Sequence, residues 1–190
     1  MDAREIIVTA ERFGAGAVDF AASYPRIAAR LGGVEGIPVV PGFIAATPKG
    51  VTTTLGRNGS DYTASIVGAG LGAEAIEIWT DVDGVLSADP RVVPNAFVIA
   101  AVTFEEAMEL SYFGAKVIHP STMIPAVEKR IPIVIRNTLN PSAPGTLIGN
   151  GGQRTEHPIT GIASIEGISL LNIEGGGMIG PVEEPYLSSD

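Results

Sequence analysis

Short apolar runs rich in Val and Ile alternate along the chain with stretches of helical periodicity. Most of these runs lack a strict alternation of apolar and polar positions, which is typical of strands buried on both faces of a sheet. We predict strands at 5–8, 37–45, 75–79, 97–102 and 131–136. Strands that alternate with helices favour an α/β fold, in which a mainly parallel sheet is sandwiched by helices.

The most clearly marked helix begins at Thr103 and runs to about residue 113. Thr103 and Glu106 form a capping box, in which each side chain accepts a hydrogen bond from the backbone N–H of the other residue. Gly114 is placed to end the helix in a left-handed conformation. Apolar residues follow the helical spacing at Phe104, Ala107, Met108 and Tyr112.

A second helix begins at Pro120, because proline favours the first helical position, where its missing N–H would have no partner. His119 precedes it, and we interpret this histidine as a structural N-cap rather than as a catalytic base. Pro125 should kink this helix or end it early.

The composition changes after residue 139. Residues 140–156 are rich in Pro and Gly, which is typical of a loop or linker, and we place a domain boundary near Gly151. Two further strands are indicated at 159–165 and 168–173, joined as a hairpin. The predicted organisation is one domain over 1–150, a linker with the first strands of a second region over 151–180, and a tail over 181–190.

Composition and charge exclude several classes of protein. The formal net charge of -9, without any cluster of Lys and Arg, argues against a nucleic-acid partner. Zero cysteines exclude disulfides and thiolate metal sites, and two histidines leave little for a transition-metal centre. No apolar run reaches the roughly 18 residues of a membrane-spanning helix, and the start of the chain shows no signal peptide. We therefore expect a cytoplasmic protein without a membrane partner.

Residues 52–63 lead from a strand through a glycine-containing turn into a helical stretch. Free backbone amides at such a helix start favour an anion, and glycines let a ligand approach the main chain closely. Arg57 can hold a carboxylate in a bidentate fork, while Ser60 and Asp61 can cap the helix or meet an ammonium group. The alternative is a helix-capping turn with an exposed arginine and no ligand.

Residues 79–91 follow a predicted buried strand at its carboxyl end, where open α/β sheets bind their ligands. The segment contains Asp81, Asp83, Asp89 and Arg91. Carboxylates and an arginine at this place suit a nucleotide with its Mg²⁺, which prefers oxygen ligands. An Asp-Gly turn followed by an Asp-Pro turn is the alternative without a ligand.

Lys116 lies just beyond the helix that begins at Thr103. A lysine held in a loop is a point charge suited to phosphate oxygens. A solvated surface lysine is the ordinary alternative.

Residues 68–73, Gly-Ala-Gly-Leu-Gly-Ala, match the sequence pattern of a dinucleotide-binding fingerprint. That fingerprint requires a strand before it and a helix after it, whereas this one lies inside an apolar helical stretch. We therefore do not interpret it as a nicotinamide site.

Taken together and in order, these segments resemble aspartokinases of the amino acid kinase superfamily. The resemblance runs over about residues 2–180, on Gly42-Phe-Ile, Thr52-Thr-Thr-Leu-Gly-Arg, Gly59-Ser-Asp-Tyr-Thr, Trp79-Thr-Asp-Val-Asp-Gly-Val, Ala88-Asp-Pro-Arg, Gly114-Ala-Lys-Val-Ile-His-Pro and Ile131-Pro-Ile-Val-Ile-Arg-Asn-Thr. Asn58 after Arg57, and the stretch 159–180, look most like bifunctional aspartokinase/homoserine dehydrogenases. That stretch resembles the opening of a regulatory ACT region, which implies that an ACT-like α+β region starts there.

The resemblance implies a role for each candidate site residue. The resemblance implies that Asp61 is the aspartate residue of the catalytic site. It also implies that the pocket for the substrate aspartate is lined by Arg57, Asn58, Gly59 and Ser60. The implied nucleotide-binding residues are Thr80, Asp81, Asp89, Arg91, Lys116 and Val117. The implied cofactor is ATP with Mg²⁺ held through the ATP phosphates, without a protein metal site. The implied partners are aspartate and ATP, with a homo-oligomeric full-length parent.

The implied reaction is the ATP-dependent phosphorylation of the side-chain carboxylate of L-aspartate to aspartyl phosphate, in lysine, threonine and methionine biosynthesis. A carboxylate with a pKa of about 4 is ionised at neutral pH, so no general base is required. Catalysis must come from alignment and charge neutralisation. We assign Asp61 to organising nearby cations and Lys116 to the phosphates.

Two alternatives stay open at this point. One is a catalytically inactive regulatory or interaction fragment of such an enzyme. The other is a different carboxylate-phosphorylating amino acid kinase, such as one that acts on glutamate, because kinship within the superfamily alone permits it.

The sequence departs from the family pattern in three ways. The Lys-Phe-Gly-Gly-Thr-Ser signature and the Ser-x-Gly-Glu motif are not in these residues, and Leu86 stands where the family commonly has a tyrosine near the nucleotide base. The signature carries the lysine expected to stabilise the transferring phosphoryl group. We therefore expect an N-terminally incomplete kinase domain that is weakly active or inactive on its own.

Overall fold

The computed structural model describes residues 1–11, 16–112, 118–151, 159–164 and 167, apart from the side chain of Tyr112. A short 3-10 helix, Ala3–Glu5, is followed by the helices α1 Phe20–Leu31, α2 Gly59–Leu71, α3 Phe104–Tyr112 and α4 Pro120–Lys129. The strands are β1 Ile44–Ala46, β2 Thr52–Thr54, β3 Ile76–Thr80, β4 Ala101–Thr103, β5 Ile133–Asn137 and β6 Thr146–Gly149.

A mixed sheet has the strand order β3-β5-β6-β4. β3 pairs in parallel with β5, from Ile76 opposite Ile133 to Thr80 opposite Asn137. β4 and β6 are also parallel, and the two pairs meet through the antiparallel contact of β5 with β6. β1 and β2 form a separate antiparallel pair.

Several strands and helices begin or end at one side of the mixed sheet. We call this side the carboxyl edge, because β3 and β5 both end there. α2 leads into β3 and α4 leads into β5, each through a short turn. A helix joined to a strand by a short turn runs back along it, so the N-termini of α2 and α4 lie at the carboxyl edge. β6 begins at the same edge, because it is antiparallel to β5.

The main core lies between the mixed sheet and α2, α3 and α4. Its strand residues are almost inaccessible to solvent: Ile76, Ile78, Ile133, Ile135 and Ile148. Burial of each such side chain contributes roughly 1.5–3 kcal/mol to folding. A second cluster joins α1 to α2 through Ile27, Leu31 and Ile66.

Alternating strand positions divide the mixed sheet into a buried and an exposed face. Glu77 and Trp79 of β3 and Leu147 of β6 are exposed. The helices α2, α3 and α4 pack on the buried face, where the isoleucines of the core lie. The predicted α/β class is confirmed, with two parallel strand pairs joined by one antiparallel contact. The prediction that the strands are buried on both faces is wrong for β3, because alternate residues of this strand are exposed.

Two predicted strands are confirmed with altered ends, namely 75–79 as β3 and 131–136 as β5. The strand predicted at 97–102 is wrong except at its end, because only Ala101–Thr103 forms a strand there and Val98 makes an isolated bridge to Leu86. The strand predicted at 37–45 is wrong except at its end, because only Ile44–Ala46 forms a strand there. Pro38 and Pro41 lack the N–H that a strand ladder needs, and Ile37 is 93% exposed.

The strand predicted at 5–8 is also wrong. The chain forms the 3-10 helix instead, with Asp2 as its N-cap. The Ala46 N–H then donates to the Ile7 carbonyl, and the Thr9 N–H donates to the Ala46 carbonyl. These two bonds make one isolated parallel bridge, so residues 6–8 are buried as predicted, but the segment is not a strand and Glu5 is exposed.

The loop predicted at 140–156 is wrong in its middle, where β6 forms. β6 lies between β5 and β4 and pairs with both, so it is an internal strand of the sheet. Its 4 residues are too few for a periodic signal, and its partners are set by tertiary pairing rather than by local pattern.

The helix predicted from Thr103 is confirmed as α3. The Glu106 N–H donates to Thr103 Oγ1 at 3.1 Å, and the Thr103 N–H donates to the Glu106 carboxylate at 2.8 Å. These two bonds complete the predicted capping box. Gly114 lies outside the described residues.

α4 begins at Pro120 as predicted, and His119 is its N-cap, with Nδ1 accepting from the Ser121 N–H. The predicted break at Pro125 is wrong, because α4 continues to Lys129. Pro125 is buried, and the packing of α4 against α2 offsets the one backbone hydrogen bond that the ring removes.

The predicted tail at 181–190 lies outside the described residues, as does most of the predicted hairpin. Residues 159–164 are described and form no strand. The boundary near Gly151 stays a prediction. In the part of the chain that the structure covers, no helix has the length and apolar character needed to cross a membrane.

Glu106→Ala is expected to lower the free energy of unfolding by about 1 kcal/mol at neutral pH, because it removes a capping acceptor of α3. Hydrogen bonds from the Thr103 N–H and the Thr160 hydroxyl hold the pKa of Glu106 below its ordinary value of 4.5. The carboxylate therefore stabilises the fold above 4.5, and this contribution is lost as the pH falls through the folded-state pKa. Urea unfolding at neutral and acidic pH measures the difference, with Glu109→Ala as the matched control on the same helix. A loss that is equal in both variants, or independent of pH, would contradict this role.

Candidate functional site

The turn between β2 and α2 presents the N-terminus of α2 at the carboxyl edge. Gly56 and Asn58 both have positive φ, at 77° and 54°, and Asn58 is the N-cap without a side-chain capping bond. Arg57 and Ser60 are exposed, whereas Gly59 is buried. Backbone N–H groups at a helix start and the positive end of the helix dipole favour an anion here. The residues predicted to bind aspartate thus share one turn.

The loop before β1 packs against this turn. Phe43 has a φ of 75°, which is unusual for a bulky residue. Its N–H donates to the Thr63 hydroxyl at 3.0 Å, and that hydroxyl donates to the Gly59 carbonyl at 2.8 Å. A Cβ on Gly42 would lie 2.7 Å from Ser60 Cα, so only glycine permits the contact. No sequence pattern marks a positive φ at a phenylalanine, and this support of the site could not be predicted.

Asp61 lies in the first turn of α2 and is partly buried. Burial raises the pKa of its carboxyl group above the ordinary value of 3.8, and hydrogen bonds with the Asn58 and Ser60 side chains oppose that shift. The Asn58 amide lies 3.4 Å from the carboxylate. Among the residues that the structure describes, none forms an ion pair with Asp61. A partly buried carboxylate in this setting is suited to a cationic group.

A cleft of about 390 Å³ opens along the loop that follows β3 at the carboxyl edge. Polar residues predicted to bind a nucleotide line it: Thr80, Asp81, Asp89 and Arg91. Leu86, Leu110 and Ile162 contribute apolar walls. Apolar walls with a few converging polar groups are typical of small-molecule sites.

Asp89 orients Arg91 at this cleft. The Arg91 guanidinium donates to both carboxylate oxygens of Asp89, and the Arg91 N–H donates to Oδ1 at 2.9 Å. The Arg91 side chain is exposed and that of Asp89 is only half-buried, so the pair adds little to stability. Its effect is to fix the direction of a guanidinium, whose planar fork suits phosphate oxygens.

Asp83 has a different role from its neighbour Asp81. Its Oδ1 accepts from the Asn137 amide at 2.7 Å and from the Asn140 amide at 3.1 Å. Asp83 therefore ties the loop after β3 to the end of β5. The aspartates considered for Mg²⁺ are not brought to one point, and within the described ranges no group of three His, Asp or Glu side chains could hold a metal.

Thr146, at the start of β6, fixes the base of the cleft. Its buried hydroxyl donates to the Ile99 carbonyl at 2.7 Å and accepts from the Val85 N–H at 2.8 Å. A Cβ on Gly84 would lie 2.4 Å from the same oxygen, so the turn requires glycine. The sequence signal that could have found this residue is the short run Thr146-Leu-Ile between two glycines.

Lys116 and Val117, the remaining predicted nucleotide-binding residues, lie outside the described residues, and their roles stay predictions. The N-terminus of α4, which they precede in the sequence, lies at the carboxyl edge. His119 caps that helix, as predicted.

The glycines at 68–73 serve helix packing. A Cβ on Gly68 would lie 2.6 Å from Ile76 Cγ1, and one on Gly70 would lie 2.9 Å from Ile27 Cγ2. These glycines allow α2 to approach β3 on one side and α1 on the other, which is a structural reason for the pattern at this place.

The chain matches the sequence model of the amino acid kinase family over residues 1–137. Because the match covers more than half of the chain, and the fold and cleft have the form described above, the chain belongs to the amino acid kinase family.

Several proteins similar to this chain are aspartokinases. It is 50% identical over 149 residues to the chloroplastic bifunctional aspartokinase/homoserine dehydrogenase 2 of Arabidopsis thaliana, covering 76% of this chain and 16% of that protein. It is 42% identical over 187 residues to the chloroplastic aspartokinase 1 of Arabidopsis thaliana, covering 95% of this chain and 33% of that protein. The structure of E. coli aspartokinase III in complex with aspartate and ADP has a TM-score of 0.77 at 44% identity, covering 81% of this chain and 35% of that chain. The chain therefore spans about a third or less of each of these three proteins.

Asp61→Asn is expected to stabilise the chain at neutral pH, because the ionised carboxylate is disfavoured by burial. A raised folded-state pKa makes the unaltered chain lose stability relative to the variant as the pH rises from 3.8 through that pKa. Urea unfolding of both proteins from acidic to neutral pH measures the difference. Glu74→Gln, which changes an exposed carboxylate in the turn after the same helix, is the control. A stability difference that stays constant with pH would show that Asp61 is not disfavoured by burial.

Asp83→Ala is expected to lower the free energy of unfolding by about 1–3 kcal/mol, because it leaves the buried Asn137 amide without its acceptor. The Asn140 amide is exposed and can bond to water instead. Asp81→Ala, two residues earlier in the same loop, should change it by no more than about 0.5 kcal/mol. Urea unfolding at neutral pH compares the two variants. Equal losses would show that Asp83 has no special structural role.

Proposed function

We propose that this chain forms the nucleotide-binding part of an aspartate kinase, which transfers the γ-phosphoryl group of ATP to the side-chain carboxylate of L-aspartate. The observation that carries the proposal is that two anion-suited features share the carboxyl edge. One is the exposed N-terminus of α2 with Arg57, and the other is the cleft with the oriented Arg91. A phosphoryl transfer needs an acceptor and a nucleotide next to each other, and one sheet edge can present both.

The cleft supports the nucleotide assignment. Arg91, held by Asp89, supplies a fixed cation for phosphate oxygens, and Thr80 and Asp81 supply polar groups at the end of β3. Lys116 and Val117 complete the proposed nucleotide set. Mg²⁺ would be held by the ATP phosphates with water, which agrees with its preference for oxygen ligands and retained water.

The turn at α2 supports the aspartate assignment. Arg57 and the helix N-terminus would hold the substrate carboxylates, with Asn58, Gly59 and Ser60 shaping the pocket. Asp61, which has no described ion-pair partner, would receive the substrate ammonium or another cation near the transferring group. Neutralisation by such a cation would offset the burial that now raises the pKa of Asp61.

The proposed reaction needs no proton acceptor, because a carboxylate with a pKa of about 4 is already an anion at neutral pH. The residues of this chain would therefore act by alignment and by neutralising charge. Asp61 would organise cations rather than take a proton. The similarity to E. coli aspartokinase III, whose structure contains aspartate and ADP, supports this pair of ligands.

The organisation of the whole protein belongs to the same proposal. We propose that residues 1–150 form the C-terminal part of a kinase domain, that 151–180 contain a linker and the first strands of an ACT-like regulatory region, and that 181–190 form a tail. The full-length parent would be a homo-oligomeric, regulated enzyme of amino-acid biosynthesis. Its cytoplasmic location stays a prediction, and several similar proteins are chloroplastic.

Calorimetric titration with MgATP tests the proposal. Arg91→Ala and Lys116→Ala should each weaken binding by about tenfold or more, because each removes a charge-assisted contact to phosphate. The matched control is Lys49→Ala, which removes an exposed cation paired with Glu11 away from the cleft. Absence of MgATP binding by the folded, unaltered chain, or equal weakening in all three variants, would overturn the nucleotide assignment.

A further inference from the structure

Residues 159–164 pass along the cleft, and we call this segment the strap. The Ile162 N–H donates to the Ser87 carbonyl at 2.8 Å, which joins the strap to the loop after β3. The Thr160 hydroxyl donates to the Glu106 carboxylate at 2.8 Å, which joins it to the start of α3. The strap is thus attached to both elements that form the cleft.

Gly161, which lies between Thr160 and Ile162, is closely packed. A Cβ on Gly161 would lie 3.2 Å from Leu110 Cδ2 and 3.3 Å from the Ser87 carbonyl oxygen. The strap therefore lies directly against the apolar end of α3 and the loop, so its position follows from contacts on both sides.

Beyond Gly161, the strap supplies Ile162, Ala163 and Ser164 to the cleft wall. Ile162 is 65% exposed although it lines a cleft that also contains Leu86 and Leu110. An exposed isoleucine side chain in an apolar part of a cleft is suited to pack against the face of a flat, uncharged group.

We propose that Ile162 is a base-contacting residue, and that the strap forms a wall for the purine of the bound nucleotide. This inference rests on the proposed function of the cleft. The Arg91 guanidinium and the Thr80 hydroxyl suit the phosphate end of a nucleotide, which leaves the apolar wall for its base. Leu86 and Ile162 both line the cleft, and together they offer aliphatic surface on which a base can lie.

The test compares MgATP with magnesium tripolyphosphate, which has the phosphates but no base. Ile162→Ala should weaken MgATP binding to the purified chain by about three- to tenfold, through loss of apolar contact, and should leave tripolyphosphate binding unchanged. Ile159→Ala, which truncates an exposed isoleucine of the same segment outside the cleft, is the control and should change neither affinity. Urea unfolding of both variants checks that the fold is intact.

The outcomes separate this inference from the proposed function. MgATP binding that is unchanged in Ile162→Ala but weakened in Arg91→Ala overturns the base contact and leaves the nucleotide site in place. Equal weakening of MgATP and tripolyphosphate in Ile162→Ala also overturns the base contact, because the effect then does not depend on the base. No MgATP binding by the folded, unaltered chain overturns the site and the base contact together.

Discussion

The buried hydroxyl of Thr146 connects the sheet to the cleft, and the position of the loop after β3 depends on it. It donates to the Ile99 carbonyl and accepts from the Val85 N–H, so both of its hydrogen-bonding roles are used inside the protein. It also fills the space where a side chain at Gly84 would lie. Thr146 pairs with Ile135 of β5, and the next residue, Leu147, pairs with Ala101 of β4, so strand pairing holds the segment that carries this hydroxyl. The hydrogen bond from the Val85 N–H therefore fixes the loop after β3 to the sheet.

The charges near the carboxyl edge are arranged in two different ways. Arg91 is held by Asp89 before any ligand binds, so its side chain loses less conformational entropy on binding. Asp61 is the opposite case, because burial raises its pKa and the neighbouring Asn58 and Ser60 only partly oppose the shift. A chain with a net charge of -9 repels polyanions at long range, yet these local groups can still favour one small anion. Phe43 and Asn58 both have a positive φ beside the same turn, and unusual backbone conformations of this kind are common at ligand sites.

Local chemistry in the sequence predicted much of this structure. The capping box of α3 and the cap at His119 needed only neighbouring residues, and both are confirmed. The buried strands β3 and β5 were marked by their apolar runs. β6 was missed because its stability comes from pairing with partners distant in the sequence, which no local pattern reports. Pro125 was misjudged because tertiary packing offset a local penalty.

The candidate site likewise has features that the sequence predicted and features that depend on the tertiary fold. The residues alone indicated a ligand turn at Arg57, Ser60 and Asp61, and a second segment with Asp81, Asp83, Asp89 and Arg91. The resemblance to aspartokinases added Thr80, which lines the cleft with Asp81, Asp89 and Arg91. The sequence could not show that Asp83 would bind the amides of Asn137 and Asn140, because that contact joins two loops at the ends of paired strands. The contribution of the strap could not be predicted either, since residues 159–164 reach the cleft only through the tertiary fold.

The central claim is that the nucleotide binds in the cleft at the carboxyl edge. Amide hydrogen exchange, followed residue by residue by NMR with and without MgATP, tests it most directly. The account predicts slower exchange in the loop 80–91 and at Ile162, with the exposed segment 34–40 unchanged. Slower exchange confined to surfaces away from the carboxyl edge, or no change in that loop at saturating MgATP, would contradict it.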